Sequence, residues 1–337
     1  MHINSILKFI LSAFAVAPVI GQHITTDVYN EGKVDIGGDV AIDPGASWYI
    51  YGSSREFFGG NIANSGSFYI NLDYTCSALD LAANSNSVIV NSGLIAFRAR
   101  GSSASYNLNI QRFENSGQIY FITENSPVVI YSIDAPIWKN TKDGSINLYS
   151  TKRISQTANL GNIGKAIIND GQICLRNHAW LAIGDVQGEG CIDIGINSVF
   201  WYQRGGHQFN SNQTIYLSTK SSTLYVGSKG QDKPYLVAGF GGGNAIALSK
   251  MIKSFDYDTT SGILTTVTGS YTMQFNIGMG YDRSQISLVP SRDLGTAIGD
   301  STLYSAITYT GAVPDRSTST KHCVPCKDSP KFPSRPT

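Results

Sequence analysis

The sequence predicts an all-β protein: a right-handed parallel β-helix followed by a small antiparallel β-sandwich-like domain. Three observations predict it. A short motif, a glycine with apolar residues two and four positions later, occurs seven times within the first 194 residues. Short alternating segments lie between the copies, as expected of strands with one buried face. No segment shows the sustained 3.6-residue period that an amphipathic helix needs.

The repeat is clearest in "FENSGQIYF" (113–121), where Asn115-Ser116-Gly117 precedes Ile119 and Phe121. Glycine beside asparagine favours tight turns with positive φ. A period in the twenties is typical of stacked repeats, and parallel crossovers are nearly always right-handed. An antiparallel sandwich with similar hairpins is the alternative. The repeat glycines are Gly32, Gly66, Gly93, Gly117, Gly144, Gly171 and Gly190, separated by 34, 27, 24, 27, 27 and 19 residues.

The same pattern predicts how the chain is divided. The registered glycines end near residue 196, so we assign residues 22–200 to the β-helix. Alternating segments continue without them, and Gly269-Ser270 reads as a hairpin turn. Residues 201–310 are therefore assigned to the small β-sandwich domain, with one short helix within 244–255. Residues 311–337 form a disulfide strap and a polar tail.

The N-terminus predicts secretion. Residues 1–21 read as a signal peptide, a mostly apolar run that ends in small residues. No later stretch is apolar enough to cross a bilayer, and the polar C-terminus has no hydrophobic tail for a GPI anchor. Asn212-Gln213-Thr214 is an N-glycosylation sequon. The net charge of +1, with 15% charged residues, argues against a nucleic-acid partner.

Five cysteines in a secreted chain favour disulfides. Cys174 and Cys191 both point outward, offset by one rung and two residues, so their Cα atoms are about 8 Å apart, too far for a mutual bridge. We therefore expect each to pair with Cys323 or Cys326 of "CVPC", stapling the strap to the end of the helix. Which cysteine takes which partner stays open, a redox-active CxxC is the alternative, and Cys76 is expected to be unpaired.

Parallel β-helices also occur in polysaccharide lyases and hydrolases, so an enzyme of this kind must be considered. Such reactions need clustered carboxylates. The outward aspartates Asp35 and Asp193 fall at opposite ends of the stack and cannot cooperate. His178 and His207 have no partner at metal-ligand spacing and are assigned structural roles. We therefore expect no enzyme activity, cofactor or metal.

Aromatic side chains are the candidate ligand contacts. Trp48, Trp201 and Tyr202 are the residues we single out, since aromatic rings stack on sugars or anchor protein partners. The alternative is that they pack the core or the junction between the two domains.

Longer motifs carry a family resemblance. With the secretory start and the repeated "NSG" strands, "FDYDTTSGILTT" (255–266), "FNIGMGYD" (275–282) and "YTGAVPDRSTSTKHCVPC" (309–326) make the chain resemble the N-terminal domain of yeast hyphally regulated cell-wall proteins, an adhesin-like group. The resemblance implies a β-helix and a small β-sandwich displayed at the yeast surface.

From these observations we expect a secreted or cell-surface adhesin-like domain. It would bind an unknown surface ligand, a glycan or a host protein, as a monomer and without catalysis. A polysaccharide-acting enzyme and a purely structural wall component are the two alternatives.

Overall fold

The computed structural model describes residues 21–334 except 35, 54, 73–77, 102, 126–128, 153–156, 163, 204–206, 228–232, 291–304 and 319–322. In these residues the chain forms three β-sheets and a single 3-10 turn, Arg283–Gln285, which confirms the all-β class. The predicted signal peptide, apart from Gly21, lies outside the described residues, and so do Asp35 and Cys76.

Sheet I has eight strands and forms one side of the molecule. In spatial order they are β1 (Gln22–Ile24), β3 (Val40–Ile42), β6 (Ile62–Asn64), β9 (Val88–Asn91), β12 (Arg112–Asn115), β15 (Ile137–Asn140), β18 (Ile167–Asn169) and β21 (Val186–Gln187).

Sheet II has thirteen strands. They are β2 (Val28–Glu31), β4 (Ser47–Tyr51), β7 (Ser67–Leu72), β10 (Leu94–Arg100), β13 (Gln118–Glu124), β16 (Ser145–Ser150), β19 (Gln172–Arg176), β22 (Cys191–Ile194), β24 (Thr214–Leu217), β26 (Tyr235–Ala238), β30 (Thr272–Asn276), β29 (Ile263–Thr268) and β28 (Ile252–Asp258).

Sheet III has eleven strands. They are β5 (Arg55–Phe58), β8 (Ala78–Ala83), β11 (Ser103–Asn109), β14 (Val129–Asp134), β17 (Thr157–Leu160), β20 (Ala179–Ala182), β23 (Val199–Tyr202), β25 (Thr223–Val226), β27 (Ala245–Leu248), β32 (Ser305–Tyr309) and β31 (Ile286–Pro290).

Strand pairing makes the chain a parallel β-solenoid of about eight turns. From β3 to β23 each rung contributes one strand to each sheet, and the next rung pairs with it in parallel, as β10 does with β7 on one side and β13 on the other. Inward side chains therefore stack in columns, and Phe97 lies opposite Ile70 and Phe121. The columns bury one continuous apolar core that no single rung could form.

A buried column of asparagines runs where the strands of sheet I end. Each side-chain amide nitrogen donates to the amide oxygen of the next rung, at 2.7–2.8 Å. Gln213 accepts from the last member, Asn169, at 3.0 Å and ends the ladder. The sequence pattern showed these residues as turn formers and missed the ladder. Its members are Asn64, Asn91, Asn115, Asn140 and Asn169, each at most 1% exposed.

Glycine is required beside this ladder for a different reason from the one predicted. None of the stacked glycines has a positive φ. A Cβ on any of them would lie 2.1–2.5 Å from a backbone carbonyl oxygen of the preceding rung. Only a residue without a side chain permits that approach. The column comprises Gly66, Gly93, Gly117, Gly144, Gly171 and Gly190.

Gly32 does not belong to this column, so its assignment to the repeat is wrong. It follows strand β2 and has a φ of +73°. Ala46 holds the equivalent position in the early rungs, because its carbonyl oxygen accepts from the Ser67 amide as that of Gly66 accepts from Leu94. The motif at Gly32 has the residue spacing of the repeat, but Gly32 does not occupy the stacked position of the other glycines.

Parallel rungs continue past residue 200, where the sequence placed the end of the β-helix. Ile215 and Leu217 lie opposite Ile192 and Ile194 and extend their inward columns. The turn glycine is lost, since Gln213 precedes β24, and the described rungs from β24 onward contribute no strand to sheet I. The division at residues 200 and 201 stays a prediction, but the described strand pairing shows no change of direction there.

Antiparallel pairing is confined to a short region near the C-terminus. β28, β29 and β30 form two antiparallel pairs, which confirms the hairpin at Gly269-Ser270, and β30 joins β26 in parallel. β31 and β32 pair antiparallel and extend sheet III from β27. We call β28–β32 the cap. A separate sandwich domain is not shown, and the helix predicted within 244–255 is wrong, because β27 and β28 fill that segment.

Candidate functional site

The outer face of sheet II carries the candidate site. Successive side chains of a strand point to opposite faces, so the residues between the inward isoleucines and leucines point outward. Their register is continuous across five neighbouring strands. The outward column they form is Tyr120, Asn147, Cys174, Asp193 and Tyr216.

Two disulfides fasten the C-terminal segment to this face. Cys174 is bonded to Cys326 and Cys191 to Cys323, with Cα–Cα distances of 6.0 and 5.2 Å. Cys191 lies opposite Gln172 rather than Cys174, the offset of one rung and two residues that the repeat predicts. The two disulfides predicted between the outward cysteines and "CVPC" are therefore present.

The segment 323–334, which we call the strap, lies across the strands of sheet II. It leaves Cys191 in β22 and reaches Tyr51 in β4, whose hydroxyl donates to the Pro333 carbonyl at 3.0 Å. Six strand spacings separate β22 from β4, about 29 Å. The ten residue steps from Cys323 to Pro333 span at most about 33–36 Å, so the strap is nearly fully extended. It covers the face rather than the end of the solenoid.

Polar and aromatic contacts hold the strap along its length. Gln172 binds the Val324 backbone twice, accepting from its amide at 2.8 Å and donating to its carbonyl. Arg176 pairs with Asp328 at 3.1 Å. Further along, the Phe332 ring packs edge-on against Tyr69 and lies under the Arg98 guanidinium at 3.9 Å.

A cleft of about 650 Å³ opens between the strap and the sheet. This volume lies within the range of small-ligand sites. One wall is the outward column, and the other is the strap around Cys326 and Lys327. A smaller cleft of about 230 Å³ lies on the other side of the strap and shares Asn147 with the first.

Asp193 is the buried charged group of the larger cleft. Its side chain lines the cleft, and the residue is only 5% exposed. Oδ1 accepts from the Ser218 hydroxyl at 2.5 Å, while Oδ2 faces the disulfide sulfur of Cys326 at 3.1 Å, which has no proton to donate. Burial raises the pKa of Asp193 to about 6, and the Ser218 hydrogen bond and Arg176 oppose that rise. Among the described residues, Oδ2 is thus left without a donor.

Two of the three aromatic residues proposed as ligand contacts are in the core. Trp48 and Tyr202 are 0% exposed, so that assignment is wrong for both. Trp48 stacks on Phe68 at 5.1 Å in the inward column, because its strand alternates in phase with the next rung. Trp201 is half-buried and packs edge-on against Tyr225, and its contact with a ligand stays a prediction. Spacing alone did not show which face of each strand points inward.

The tyrosines at the cleft are the aromatic residues that the sequence analysis did not single out. Tyr149 and Tyr216 line it and are half-buried. The Arg176 guanidinium lies 5.3 Å from the centre of the Tyr149 ring. These two tyrosines can be identified as cleft residues only once the pairing register of the strands is known.

The remaining candidates lie away from the cleft. His178 is buried against the Tyr131 ring at 4.4 Å, and burial lowers its pKa to about 3. His207 pairs with Asp185 at 3.4 Å. Asn212 is exposed, so a glycan there would project into solvent, and its glycosylation stays a prediction.

Two negative findings complete the description. Within the described part of the chain, no group of three or more His, Cys, Asp or Glu residues is placed to hold a metal ion. No helix found in the same residues has the length and apolar character to cross a membrane.

Fold and site together define a disulfide-strapped β-solenoid domain. The family model for the hyphally regulated cell wall protein N-terminal region matches residues 11–333. The chain belongs to this family of cell wall proteins.

Two relatives from Candida albicans illustrate the match. Cell wall protein IFF9 is 33% identical over 94% of this chain, and Hyphally regulated cell wall protein 3 is 31% identical over 94%. The chain covers 34% and 26% of these relatives, respectively. It therefore spans about a third or less of their length.

Proposed function

We propose that this chain is the binding domain of a fungal cell-wall protein, secreted and held at the cell surface, where it adheres to host or other surfaces. It acts as a monomer and without catalysis. The observation that carries the proposal is the cleft beside the strap, a polar and aromatic concavity open to solvent on a rigid sheet.

Other features support this function. The matched relatives are named as cell wall proteins, and none of their names is that of an enzyme. The strap is bonded covalently to two neighbouring strands, which keeps the walls of the cleft fixed relative to each other. A preorganised site loses little conformational entropy when a ligand binds.

A binding screen combined with an activity assay tests the proposal. The purified protein is applied at increasing concentrations to immobilised glycans and host-cell monolayers. Reducing-end release from pectins, glucans and mannans is followed in parallel. We expect saturable binding without release.

Two results would contradict the proposal. Release of reducing ends would show a polysaccharide-acting enzyme. The absence of saturable binding to every surface would favour a purely structural wall component. A batch with both disulfides reduced is the matched control, because its cleft loses the strap wall.

A further inference from the structure

The cleft beside the strap has an elongated shape that constrains what it can bind. The wall formed by sheet II comprises β13, β16, β19, β22 and β24, which are consecutive in that sheet. Four strand spacings give a length of about 19 Å. The strap runs in the same direction as this row of strands, so the cleft is a groove. A groove of this length suits a linear ligand.

The charges of the groove oppose a strongly charged ligand. Asp193 provides a buried negative charge near Arg176, which is itself paired with Asp328 of the strap. Lys327 lies at the rim of the cleft and is exposed. Charged side chains of both signs therefore line the groove. A polycation would meet Arg176 and Lys327, and a polyanion would meet Asp193.

The groups available for binding suit hydroxyls and apolar ring faces. Asp193 lines the cleft and its Oδ2 has no described donor, so a ligand hydroxyl that reaches this oxygen can donate to it and satisfy a buried acceptor. Tyr149 and Tyr216 line the cleft as half-buried residues, and tyrosine rings, apolar with one polar end, pack well on an amphipathic sugar ring. Ser218 and Thr219 add hydroxyls at one end.

We infer that the groove binds a linear, uncharged oligosaccharide, with Asp193 accepting from its hydroxyls and Tyr149 and Tyr216 packing on its rings. This inference rests on the proposed function, because it names the ligand class and the residues of the same binding domain. The strap forms the second wall, so the site exists only while both disulfides are intact.

Calorimetric titration with three defined sugars tests the inference. The probes are a linear β-1,3-glucose hexamer, a linear mannose tetramer and an N-acetylglucosamine tetramer. We expect at least one to bind the wild type. Asp193→Asn keeps the shape and removes the acceptor charge, and we expect it to lower affinity at least tenfold. Tyr216→Leu is expected to lower it by a similar factor.

Matched variants control for general effects on the fold. Asp256→Asn changes an exposed aspartate in the cap. Tyr29→Leu changes a tyrosine, 43% exposed, on sheet II outside the groove. Both are expected to bind as the wild type does, and thermal unfolding verifies that all four variants are folded.

The outcomes separate this inference from the proposed function. If the wild type binds cells or immobilised glycans but the groove variants bind equally well, the groove assignment is overturned and the binding function stands. If the wild type binds a lysine-rich peptide and none of the sugars, the ligand class is wrong. If it binds no surface at all, both fall together.

Discussion

At the scale of single residues, the stacked turns are limited by the distance between backbones. Each column glycine lies so close to the rung before it that a Cβ would overlap a carbonyl oxygen. The asparagines beside them donate across the same gap. Glycine and asparagine are thus fixed together, because a wider gap between rungs would break the asparagine ladder.

Gly117→Ala should therefore destabilise the fold. The new Cβ would lie 2.1 Å from the Gly93 carbonyl oxygen, and a backbone atom cannot move away cheaply. We expect a loss of about 3 kcal/mol in the free energy of unfolding, the upper range for overpacking. Gly269→Ala is the control, because its Cβ would meet only the flexible end of Lys253, at 3.3 Å. Equal denaturation midpoints for the two variants would refute the close-approach argument.

His178 should make the fold sensitive to acid. Burial lowers its pKa from 6.5 to about 3, because the charged imidazolium is disfavoured in the core. The unfolded chain takes up a proton as the pH falls through about 6.5 while the folded chain does not, so stability decreases from that pH towards 3.

His178→Phe removes this contribution. Between pH 7 and pH 4.5 we expect the variant to lose about 2 kcal/mol less stability than the wild type. Urea unfolding at the two pH values measures the difference. The exposed His23, changed to Phe, serves as control. The same loss in wild type and His178→Phe would mean that another group causes the acid sensitivity.

Residue patterns predicted the outward column but not the identity of its aromatic contacts. Alternation placed Cys174 and Asp193 outward correctly. It did not show whether Trp48 points inward or outward. In that strand aromatic residues occupy consecutive positions, so apolar and polar residues do not alternate. Trp48 points inward because it pairs with Phe68 on the next rung, and this pairing is known only from the structure.

At the scale of elements, the strap works as a double staple. The loops closed by the two disulfides overlap, with sequence separations of 152 and 132. Once one bond is present, the other closes a small ring that comprises residues 174–191 and 323–326. That ring holds 22 residues, 18 in 174–191 and four in 323–326. The stability gained from each disulfide should therefore depend on whether the other disulfide is present.

Removal of the disulfides should be strongly non-additive. Replacing Cys174 and Cys326 by Ala, with the other bond kept, should cost about 3 kcal/mol, as expected for a ring of some 20 residues. Replacing all four cysteines should cost about 8 kcal/mol, because the second loss frees a loop of over 130 residues. Chemical denaturation of the single-bond and no-bond variants measures this. A no-bond variant no less stable than the single-bond variant would contradict it.

The sequence could predict the two staples but not the course of the strap. The offset between Cys174 and Cys191 followed from the repeat alone. The contact of Phe332 with Tyr69 and Arg98 joins residues more than 230 positions apart with no repeat to relate them. The cleft arises from that course, so it was equally hidden.

At the scale of the whole molecule, the cap determines where the stack ends. A parallel stack presents an unpaired strand edge at its last rung, and such edges recruit other chains. Here β30 pairs with β26, and β32 pairs with β27. The sequence analysis assigned residues 201–310 to a small β-sandwich domain that follows the β-helix. The start of that domain stays a prediction, because the turn glycines on which it depends end before the inward columns do.

Loosening the cap should therefore promote self-association of the chain. Phe275 in β30 is fully buried and stacks on Tyr235 of β26 at 5.6 Å. Phe275→Ala should cost about 3–5 kcal/mol and free β30 before the solenoid itself unfolds. We expect self-association at micromolar concentrations in sedimentation velocity, with far-ultraviolet circular dichroism unchanged. Gln274→Ala, on the exposed side of the same strand, should stay monomeric. If Phe275→Ala is equally monomeric, the edge of β26 is protected by something other than the cap.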